Sequence, residues 1–247
     1  MKLRLDRLIS NLGYASRSEL PGLIRSGIVS VEGLAEPSAS DKVEHASVQF
    51  EGQPLDPPQG LTVVLNKPCG YVCSHSSAEG ASVYALLPER WSRRKPALNS
   101  VGRLDQDACG LLVLTDDGQF LHRLTSPRHH IPKIYEVELA DPLRGDEGAE
   151  FAAGRLMLQG EKDPLAPAFF SASGERSGSL ILFEGRYHQI KRMFAALGNR
   201  VTFLKRTQIG AYRLDASLTE GAHRLLGPEE AEQLLTVIDP QQVLGTG

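Results

Sequence analysis

The stretch Gly102-Arg-Leu-Asp-Gln-Asp-Ala-Cys-Gly-Leu-Leu-Val-Leu-Thr-Asp-Asp-Gly118 joins an acidic loop to an apolar strand. Its first half is polar and begins with glycine, which indicates a loop. The run Gly110–Leu114 is short and apolar, which indicates a buried strand. The pattern therefore predicts Asp105, beside Arg103, at the rim of a sheet, where an acid suits nucleophilic or acid/base chemistry. Taken alone, Arg-Leu-Asp is a common tripeptide, and a surface ion pair is the simpler explanation of it.

Strands and helices follow one another irregularly on both sides of this stretch. The strand-like segments are 61–65, 110–114, 134–139, 179–183 and 201–204. The helix-like segments are 83–87, 119–124, 145–153, 188–197 and 228–238. Because the strands are not regularly separated by crossover helices, the pattern favours an α+β fold over a doubly wound parallel sheet.

The first 56 residues have the pattern of a separate small module. Apolar residues at helical spacing between Leu5 and Leu12 predict a first helix. The sequence Ser16-Arg-Ser-Glu19 is a capping box, which predicts that a second helix begins there. Short strands are predicted at 28–31 and 47–50.

A Pro- and Gly-rich stretch follows this module. Residues 53–60 carry little apolar pattern, which is typical of a linker. The predicted division of the chain is a module at 1–56, a linker at 57–60, a larger domain at 61–240 and a tail at 241–247.

Positive charge is concentrated in four windows, although the whole chain carries a net charge of −3. The windows are 1–25, 90–105, 122–135 and 184–206. They hold 19 of the 27 Lys and Arg residues but only four acids, so they carry +15 while the rest of the chain carries −18. This segregation can present a basic face to phosphate groups. A solvated surface explains any single window equally well, but four windows together favour an RNA partner.

The composition excludes several classes of protein. No run of 18 apolar residues predicts a membrane span, and the charged N-terminus lacks the apolar core of a secretory signal. We therefore expect a cytoplasmic protein. The three cysteines, Cys69, Cys73 and Cys109, are too few for a disulfide scaffold and lack the second pair that a zinc site needs.

The motifs of nucleotide-dependent and metal-dependent enzymes are also missing from the sequence. The chain has no Walker A loop, no dinucleotide-binding glycine motif and no nucleophile elbow. The pair His129-His130 lies near Arg128 and Lys133, which favours a phosphate contact over a metal site. We therefore expect no cofactor and no metal.

Five segments, in one order, resemble the RsuA family of pseudouridine synthases. They are Arg4–Gly33, Leu65–Ser74, Gly102–Gly118, Ser126–Tyr135 and Glu184–Phe194. The first resembles an S4 RNA-binding domain, and the other four resemble the motifs of the family's catalytic domain. The resemblance covers about residues 1–235. It implies a catalytic domain with a mixed, largely antiparallel sheet, preceded by a small S4-like α/β domain, and isomerisation of a uridine in ribosomal RNA without a cofactor.

Three local features are most similar to the family members that act on the small ribosomal subunit. They are Thr115–Gln119, Ser126–His130 and Glu161–Asp163. This likeness implies 16S ribosomal RNA, or a partly assembled small subunit, as the partner and uridine 516 as the target. We expect a monomer without a membrane partner. The chain departs from the family where Leu165-Ala166 replace a Thr-Lys pair, which bears on the substrate position rather than on the chemistry.

The resemblance assigns three residues to catalysis. Asp105 would be the essential carboxylate, which attacks ribose C1′, attacks the base or assists a glycal-like intermediate. Tyr135 would stack on the target uracil, a contact of about 1–3 kcal/mol, and its hydroxyl could transfer a proton. Lys191 would pair with Asp105, because an adjacent cation favours and orients an ionised carboxylate. From spacing alone, Tyr135 is an ordinary strand aromatic and Lys191 a solvated helix residue.

Further residues are expected to contact RNA. Arg103 and Leu104 would support a uridine that is flipped out of its helix. The candidates for phosphate binding are Arg128, Arg186 and Arg192 in the larger domain, and Arg4, Arg7, Arg17 and Arg25 in the S4-like module. Because folded RNA is recognised largely by its shape and backbone, we expect both domains to contribute to specificity.

Two other functions stay open at this point. A pseudouridine synthase for a site in 23S ribosomal RNA would carry the same catalytic motifs. A non-catalytic RNA-binding factor of ribosome assembly would need the S4-like module and the basic windows, but no acid in a cleft that faces phosphate groups, where it would repel the ligand. The combination of Asp105, Tyr135 and Lys191 therefore favours the enzyme.

Overall fold

The structure is a computed structural model that describes residues 2–240, and these residues divide into two compact units. The first unit comprises residues 2–61, 87–99 and 115–117, and the second comprises 62–86, 100–114 and 118–240. Two segments expected in the larger domain therefore join the first unit. The tail expected at 241–247 lies outside the described residues, and the separate RNA-binding role of 1–56 stays a prediction.

The first unit combines two short helices with short strands. They are β1 (Leu3–Arg4), α1 (Leu5–Asn11), α2 (Leu20–Arg25), β2 (Val29–Val31), β3 (Lys42–Val43), β4 (Val48–Phe50) and β5 (Gln53–Pro54). Strand β1 pairs with β3, and β2, β4 and β5 form an antiparallel sheet. The apolar side of α1, with Leu5, Leu8 and Ile9, packs into one core with Val29 and Val48 of the sheet.

The capping box predicted at Ser16 is present, but α2 begins later than expected. Glu19 Oε2 accepts hydrogen bonds from the backbone N–H and the hydroxyl of Ser16, and Ser16 Oγ accepts one from the N–H of Glu19 at 3.3 Å. Residues 16–19 form a turn, and α2 starts at Leu20, just before Pro21. A proline is tolerated at this position because the first N–H groups of a helix have no intrahelical partner.

Part of the stretch predicted as a linker belongs to the small sheet. Residues Gln53–Pro54 pair with β4 through the two-residue turn Glu51–Gly52, in which both residues have a positive φ, 51° and 73°. Such turns match the twist of a β-hairpin. The sequence pattern of this hairpin was hidden by the proline, which is tolerated here on an edge strand.

A buried ion pair fixes the rest of this stretch within the first unit. Arg94 donates to Asp116 Oδ2 from Nη2 at 2.7 Å, and both side chains are only 1% exposed. Arg94 Nη2 also donates to the carbonyl oxygens of Pro57 and Pro58, and the N–H of Gly60 donates to Asp116 Oδ1 at 2.8 Å. Residues 57–60 therefore have defined hydrogen-bond partners.

The second unit is built on a mixed sheet. Along the chain from residue 62 the strands are β6 (Thr62–Lys67), β7 (Asn99–Ser100), β8 (Cys109–Thr115), β9 (Lys133–Leu139), β10 (Phe169–Gly174), β11 (Ser177–Leu182), β12 (Val201–Ile209), β13 (Tyr212–Arg213) and β14 (His223–Leu225). The helices are α3 (Gly118–Thr125), α4 (Glu147–Ala152), α5 (Gln189–Ala196) and α6 (Pro228–Leu235).

The order of strands in this sheet is β10–β11–β9–β12–β8–β6–β14, and β13 pairs with β12. Strand β9 is antiparallel to both β11 and β12, and β14 is antiparallel to β6. Strand β12 runs parallel to β8. The prediction of an α+β fold with a mixed, largely antiparallel sheet is therefore confirmed.

Individual elements differ from the predictions where polarity hid the pattern. The helix expected at 83–87 is a single 3₁₀ turn, Val83–Leu86. Strand β10 was not predicted, because its sequence Phe-Phe-Ser-Ala-Ser-Gly is small and polar at one end. Strand β12 continues to Ile209 rather than ending at 204, because the polar side chains of Arg206 and Gln208 are buried against the sheet and hydrogen-bonded there.

The variant Asp116→Ala should lower the free energy of unfolding of the first unit by about 3–5 kcal/mol, because buried Arg94 would lose its counter-charge. Urea titration followed by the fluorescence of Trp91, the chain's single tryptophan, measures this loss. The control Glu89→Ala removes an exposed partner of Arg93 and should cost less than about 1 kcal/mol. Equal losses in the two variants would contradict the role given to the buried pair.

Candidate active site

The loop that carries Asp105 leads directly into β8, and β8 pairs with β12. Gly110 has a φ of +95°, and a Cβ at this position would lie 2.3 Å from the carbonyl oxygen of Arg206. Only glycine fits such a contact, because backbone atoms cannot move aside as a flexible side chain can. Gly110 therefore sets the spacing between the strand that follows the Asp105 loop and β12.

The ammonium group of Lys67 is hydrogen-bonded to the backbone of this loop. Lys67 ends β6, is fully buried, and donates to the carbonyl oxygens of Ala108 at 2.6 Å and Asp105 at 3.1 Å. It also donates to the carbonyls of Pro68 and Gln106. Burial lowers the pKa of Lys67 below its usual value. One side chain thus satisfies backbone acceptors on both sides of the loop.

The two cysteines near Lys67 contact the same loop. Cys73 Sγ donates to the carbonyl oxygen of Leu104 at 3.6 Å and accepts from its N–H at 3.5 Å. Cys69 Sγ donates to the carbonyl oxygen of Asp107 at 3.3 Å. The N–H of Gly70 donates to the carbonyl oxygen of Gln106 at 2.7 Å. The segment 65–74 therefore holds the loop through side-chain and backbone contacts.

The carboxylate of Asp105 faces two basic side chains of the segment that begins α5. Lys191 Nζ lies 3.1 Å from Asp105 Oδ2, and His188 Nε2 lies 3.5 Å from Oδ1. The side chain of Asp105 is 27% exposed and that of Lys191 25%, so the group is open to solvent on one side. The positive charge of Lys191 stabilises a negative charge on the carboxylate at this distance.

A second acid, Asp107, shares the ammonium group of Lys191. Lys191 Nζ donates to Asp107 Oδ1 at 2.5 Å. Burial opposes the charged form of Lys191, but the hydrogen bonds to Asp107 and Asp105 outweigh it and raise the pKa of Lys191. Partial burial likewise opposes the charge of Asp107, and the hydrogen bond from Lys191 lowers the pKa of Asp107 nevertheless. Lys191 is therefore held in its charged form beside Asp105.

Helix α5 is positioned by its apolar side and by the turn before it. Ile190 and Phe194 are buried. Gln189 is also buried, and its Oε1 accepts a hydrogen bond from the N–H of Arg186 at 2.8 Å. His188 has a φ of 48°, in the left-handed region that a non-glycine residue rarely adopts. This backbone conformation directs the chain into the helix next to Asp105.

A cavity of about 90 Å³ opens beside the Asp105 carboxylate. Tyr135 of β9 lines it and is 7% exposed, and the buried side chains of Leu104, Leu182 and Leu204 also line it. Asp105 and Lys191 contribute the polar part of the wall, together with Arg103, His188 and Gln189. The cavity thus joins one aromatic and several aliphatic surfaces to a carboxylate with a fixed counter-cation.

The other predicted RNA-binding residues of the larger domain lie in two different settings. Arg103 and Arg128 are exposed, and Arg103 lines the cavity. Arg186 donates to Glu184 and Glu161 and to the carbonyl oxygens of Asp163 and Pro164. Arg192 donates to Glu161 and to the carbonyls of Gln159 and Tyr187. Phosphate binding by Arg186 and Arg192 stays a prediction, and it requires exchange of these bonds.

The candidate arginines of the first unit are all exposed. Arg4 is paired with Asp6, Nη2 to Oδ2 at 2.8 Å. Arg7, Arg17 and Arg25 lie on or beside the two helices, and none of them forms a salt bridge within residues 2–240. These three guanidinium groups are therefore accessible to a phosphate group.

Three residues of the site were not among the predicted site residues. Lys67 lies two residues beyond the strand predicted at 61–65, and the sequence pattern did not mark it as buried. His188 and Asp107 lie two or three residues from predicted site residues, and no feature of the sequence alone distinguishes them from solvated neighbours. Their roles depend on the meeting of the loop with α5, which spacing along the chain does not reveal.

The described part of the chain contains no cluster of three or more His, Cys, Asp and Glu side chains placed to hold a metal ion. Cys69 and Cys73, which are free thiols, contact the loop instead. Among residues 2–240 there is also no helix long and apolar enough to cross a membrane.

Comparison with known proteins gives consistent matches along the chain. A sequence profile described as RNA pseudouridylate synthase matches residues 61–196. The protein named ribosomal small subunit pseudouridine synthase A of Haemophilus influenzae (strain ATCC 51907 / DSM 11121 / KW20 / Rd) is 41% identical over 94% of this chain and 100% of its own length. The protein of the same name from Escherichia coli (strain K12) is 42% identical over 92% of this chain and 98% of its own. A crystal structure of a pseudouridylate synthase has a TM-score of 0.66 and 42% identity, and the match covers 94% of this chain and 99% of that one.

The variant Lys67→Met should destabilise the second unit by about 1–3 kcal/mol, because Ala108 and Asp105 would keep buried carbonyl groups without a donor. Thermal unfolding followed by circular dichroism measures the loss, and hydrogen exchange at the N–H groups of Gly70 and Ala108 locates it. The control Lys162→Met removes an exposed ammonium group and should change stability by less than about 0.5 kcal/mol. Unchanged exchange at both N–H groups in Lys67→Met would show that the lysine does not hold the loop.

Proposed function

This chain belongs to the RNA pseudouridylate synthase family, and we propose that it converts one uridine of small-subunit ribosomal RNA, uridine 516 of 16S RNA, to pseudouridine. It is a pseudouridine synthase, and therefore an isomerase. The observation that carries the proposed site is the Asp105 carboxylate, which lies 3.1 Å from Lys191 Nζ at the wall of a cavity that Tyr135 also lines.

The reaction is an isomerisation in which no atom is gained or lost. The bond between uracil N1 and ribose C1′ breaks, the base turns, and C5 of the base bonds to C1′. The proton on C5 is lost, and N1 ends with a proton. We assign Asp105 as the essential carboxylate. Its position on a loop that Lys67 holds supports this assignment, because a reacting group must keep its orientation while the base turns beside it.

Lys191 has the role of a positioning residue in this proposal. Its ammonium group bonds to both Asp105 and Asp107, so it fixes the direction of the catalytic carboxylate and stabilises its negative charge. His188, 3.5 Å from the other carboxylate oxygen, limits the rotation of the same group. The two oxygens of Asp105 are thus placed independently.

The cavity has the character of a uracil-binding site. Tyr135 offers an aromatic face, and Leu104, Leu182 and Leu204 offer aliphatic surfaces on which a flat base can pack. A stacked base gains about 1–3 kcal/mol, which offsets part of the cost of unstacking it from the RNA. Arg103, exposed at the edge of the cavity, is placed to contact the backbone of the flipped nucleotide.

The proposed substrate rests on the relatives and on three short segments. Both reported relatives are named as small-subunit enzymes and match almost over their full lengths. The segments Thr115–Gln119, Ser126–His130 and Glu161–Asp163 favour the same branch of the family. Ribosomal RNA, free or in a partly assembled subunit, implies that the protein acts in the cytoplasm, and we propose that it acts as a monomer.

The variant Asp105→Ala should abolish pseudouridine formation, with a fall in rate of at least about 10²-fold, the size typical of a positioned catalytic acid or base. Carbodiimide-block primer extension on 16S RNA maps the product, and a stop at position 516 is expected with the wild-type protein only. The matched control Asp141→Ala removes an exposed acid and should leave the stop in place.

Other results of this mapping lead to different conclusions. A stop at another position, or in 23S RNA, would retain the chemistry and overturn the proposed substrate. A stop at 516 with Asp105→Ala would overturn the assignment of the carboxylate. If no stop appeared on free RNA or on partly assembled subunits while binding persisted, the protein would be acting as an RNA-binding factor.

We also propose that the first unit contributes an S4-like RNA-binding surface, and the variant Arg17→Glu tests it. RNA binding should weaken, and the slope of log affinity against log salt should fall by about one unit, because a phosphate contact is lost. Filter binding over several salt concentrations measures both, and urea unfolding should be unchanged. The control Arg155→Glu reverses an exposed arginine outside the basic windows. Equal affinities for wild type and Arg17→Glu at every salt concentration would exclude this contact.

A further inference from the structure

A second cavity, of about 220 Å³, shares Tyr135 as a lining residue with the cavity of the candidate active site. Arg103, Tyr135 and Gly185 line both cavities, so the two are neighbours in the same face of the second unit. Gly102, Arg103 and Thr125 at its rim are exposed, and Lys133 and Arg206 lie among its other lining residues. Its volume is far above the ~10–15 Å³ that one water molecule needs.

Two cations of this cavity have no counter-charge. Lys133 is half-buried and donates from Nζ to the carbonyl oxygen of Ile131 at 3.1 Å. Arg206 is 2% exposed and donates from Nε to the carbonyl of Leu111 at 2.8 Å, but its Nη2 is buried with no hydrogen-bond partner among the described residues. Within residues 2–240, neither of them forms a salt bridge.

The charge of this cavity is therefore positive. Arg103, Lys133 and Arg206 line it, and the one acid among its lining residues, Glu184, is already bound. Glu184 Oε1 accepts from the N–H of Ala166 and from Gln189 Nε2, and Oε2 accepts from Arg186 Nε. Burial, and secondly the charge of Arg206, lower the pKa of Lys133 to about 8, which indicates how poorly the positive charge is compensated.

We propose that this cavity binds a phosphate group of the substrate RNA, at a linkage next to the target uridine. The proposal rests on the proposed function and adds to it a place for the RNA backbone. An isolated buried cation is costly unless it is paired, and a buried donor without an acceptor is costly as well. A phosphodiester group relieves both costs, because it brings one negative charge and oxygen atoms that accept charge-assisted hydrogen bonds.

The position of the cavity fits a linkage adjacent to the reacting nucleotide. Tyr135 and Arg103 line both this cavity and the one beside Asp105, so Arg103 can contact an RNA backbone that passes from one cavity to the other. Pro127 lies at its rim, and the exposed residues Arg128–His130 continue from there. A neutral base in this cavity would leave Lys133 and Arg206 uncompensated, so the charge favours the backbone over a second nucleobase.

The test combines a change in the RNA with a change in the protein. A set of short RNAs that carry the target uridine is made, each with one methylphosphonate linkage, which removes a single negative charge. Affinity for each RNA is measured with wild type, with Lys133→Met and with the control Lys205→Met. Lys205 lies on β12, which pairs with the strand that carries Lys133, but it lines a different cavity. The variant Lys133→Met keeps the length of the side chain, and its fold is checked by urea unfolding.

At one linkage beside the target uridine, the methylphosphonate should weaken RNA binding to wild type and to Lys205→Met but not to Lys133→Met. The reason is that the methylphosphonate and the Lys133→Met substitution remove the same contact. The salt slope of Lys133→Met should also be lower than that of wild type by about one unit. If Lys133→Met leaves the effect of every linkage unchanged, the proposal is wrong. A Lys133→Met protein that is folded and binds RNA with unchanged affinity and salt slope also overturns it.

Inorganic phosphate distinguishes a free anion from the RNA backbone. An anion in the cavity should raise the pKa of Lys133 toward its usual value, which nuclear magnetic resonance of the labelled lysine detects. If inorganic phosphate raises this pKa and no linkage of the RNA couples to Lys133, the site binds free phosphate and the RNA assignment is overturned. Pseudouridine formation on unmodified RNA by wild type is measured separately, so a failure of the proposed function is distinguishable from a failure of this site.

Discussion

The geometry of the candidate active site depends on the buried ammonium group of Lys67. A loop that presents a carboxylate to a cavity turns its own carbonyl groups inward, where water does not reach them, and each needs a donor. Lys67 Nζ is bonded to the carbonyls of Asp105, Gln106 and Ala108 at once. A lysine suits this position because its three N–H groups can diverge to several acceptors. The cost of burying its charge is offset because its three donors are shared among four carbonyl oxygens, those of these three residues and that of Pro68, and these contacts also fix the position of Asp105.

The same constraint connects the sheet to the electrostatics of the site. Gly110 lets β8 lie against β12, and β12 follows α5 in the chain, so the loop before β8 meets the residues that begin α5. Lys191 then contacts Asp105 and Asp107 together, and both acids come from that one loop. Two carboxylates next to one ammonium group keep it charged. The contacts of Lys191 with Asp105 and Asp107 are therefore formed in the protein without a bound ligand.

The sequence predicted the fold class and the meeting of three motifs better than it predicted the individual elements. Resemblance over five segments directed attention to Asp105, Tyr135 and Lys191, and apolar periodicity located most helices within a few residues. Periodicity failed where polar side chains are buried, as in β12, because hydrogen bonds to the sheet replace apolar contacts there. It also failed at His188 and Lys67, whose importance arises from contacts between segments far apart in the chain.

The distribution of charge shows a further limit of counting basic residues. The four basic windows contain few acids, but acidic side chains from other parts of the chain form ion pairs with arginines of these windows. Glu161 binds Arg186 and Arg192, and within the first unit Asp116 binds Arg94. These arginines hold neighbouring segments together, so their charge is partly neutralised before any RNA arrives. The cations without an acidic partner are a smaller set, and in the second unit Lys133 and Arg206 belong to it, next to the exposed Arg103. The positive charge beside Tyr135 is consequently not reduced by an acidic partner, unlike that of Arg186 and Arg192.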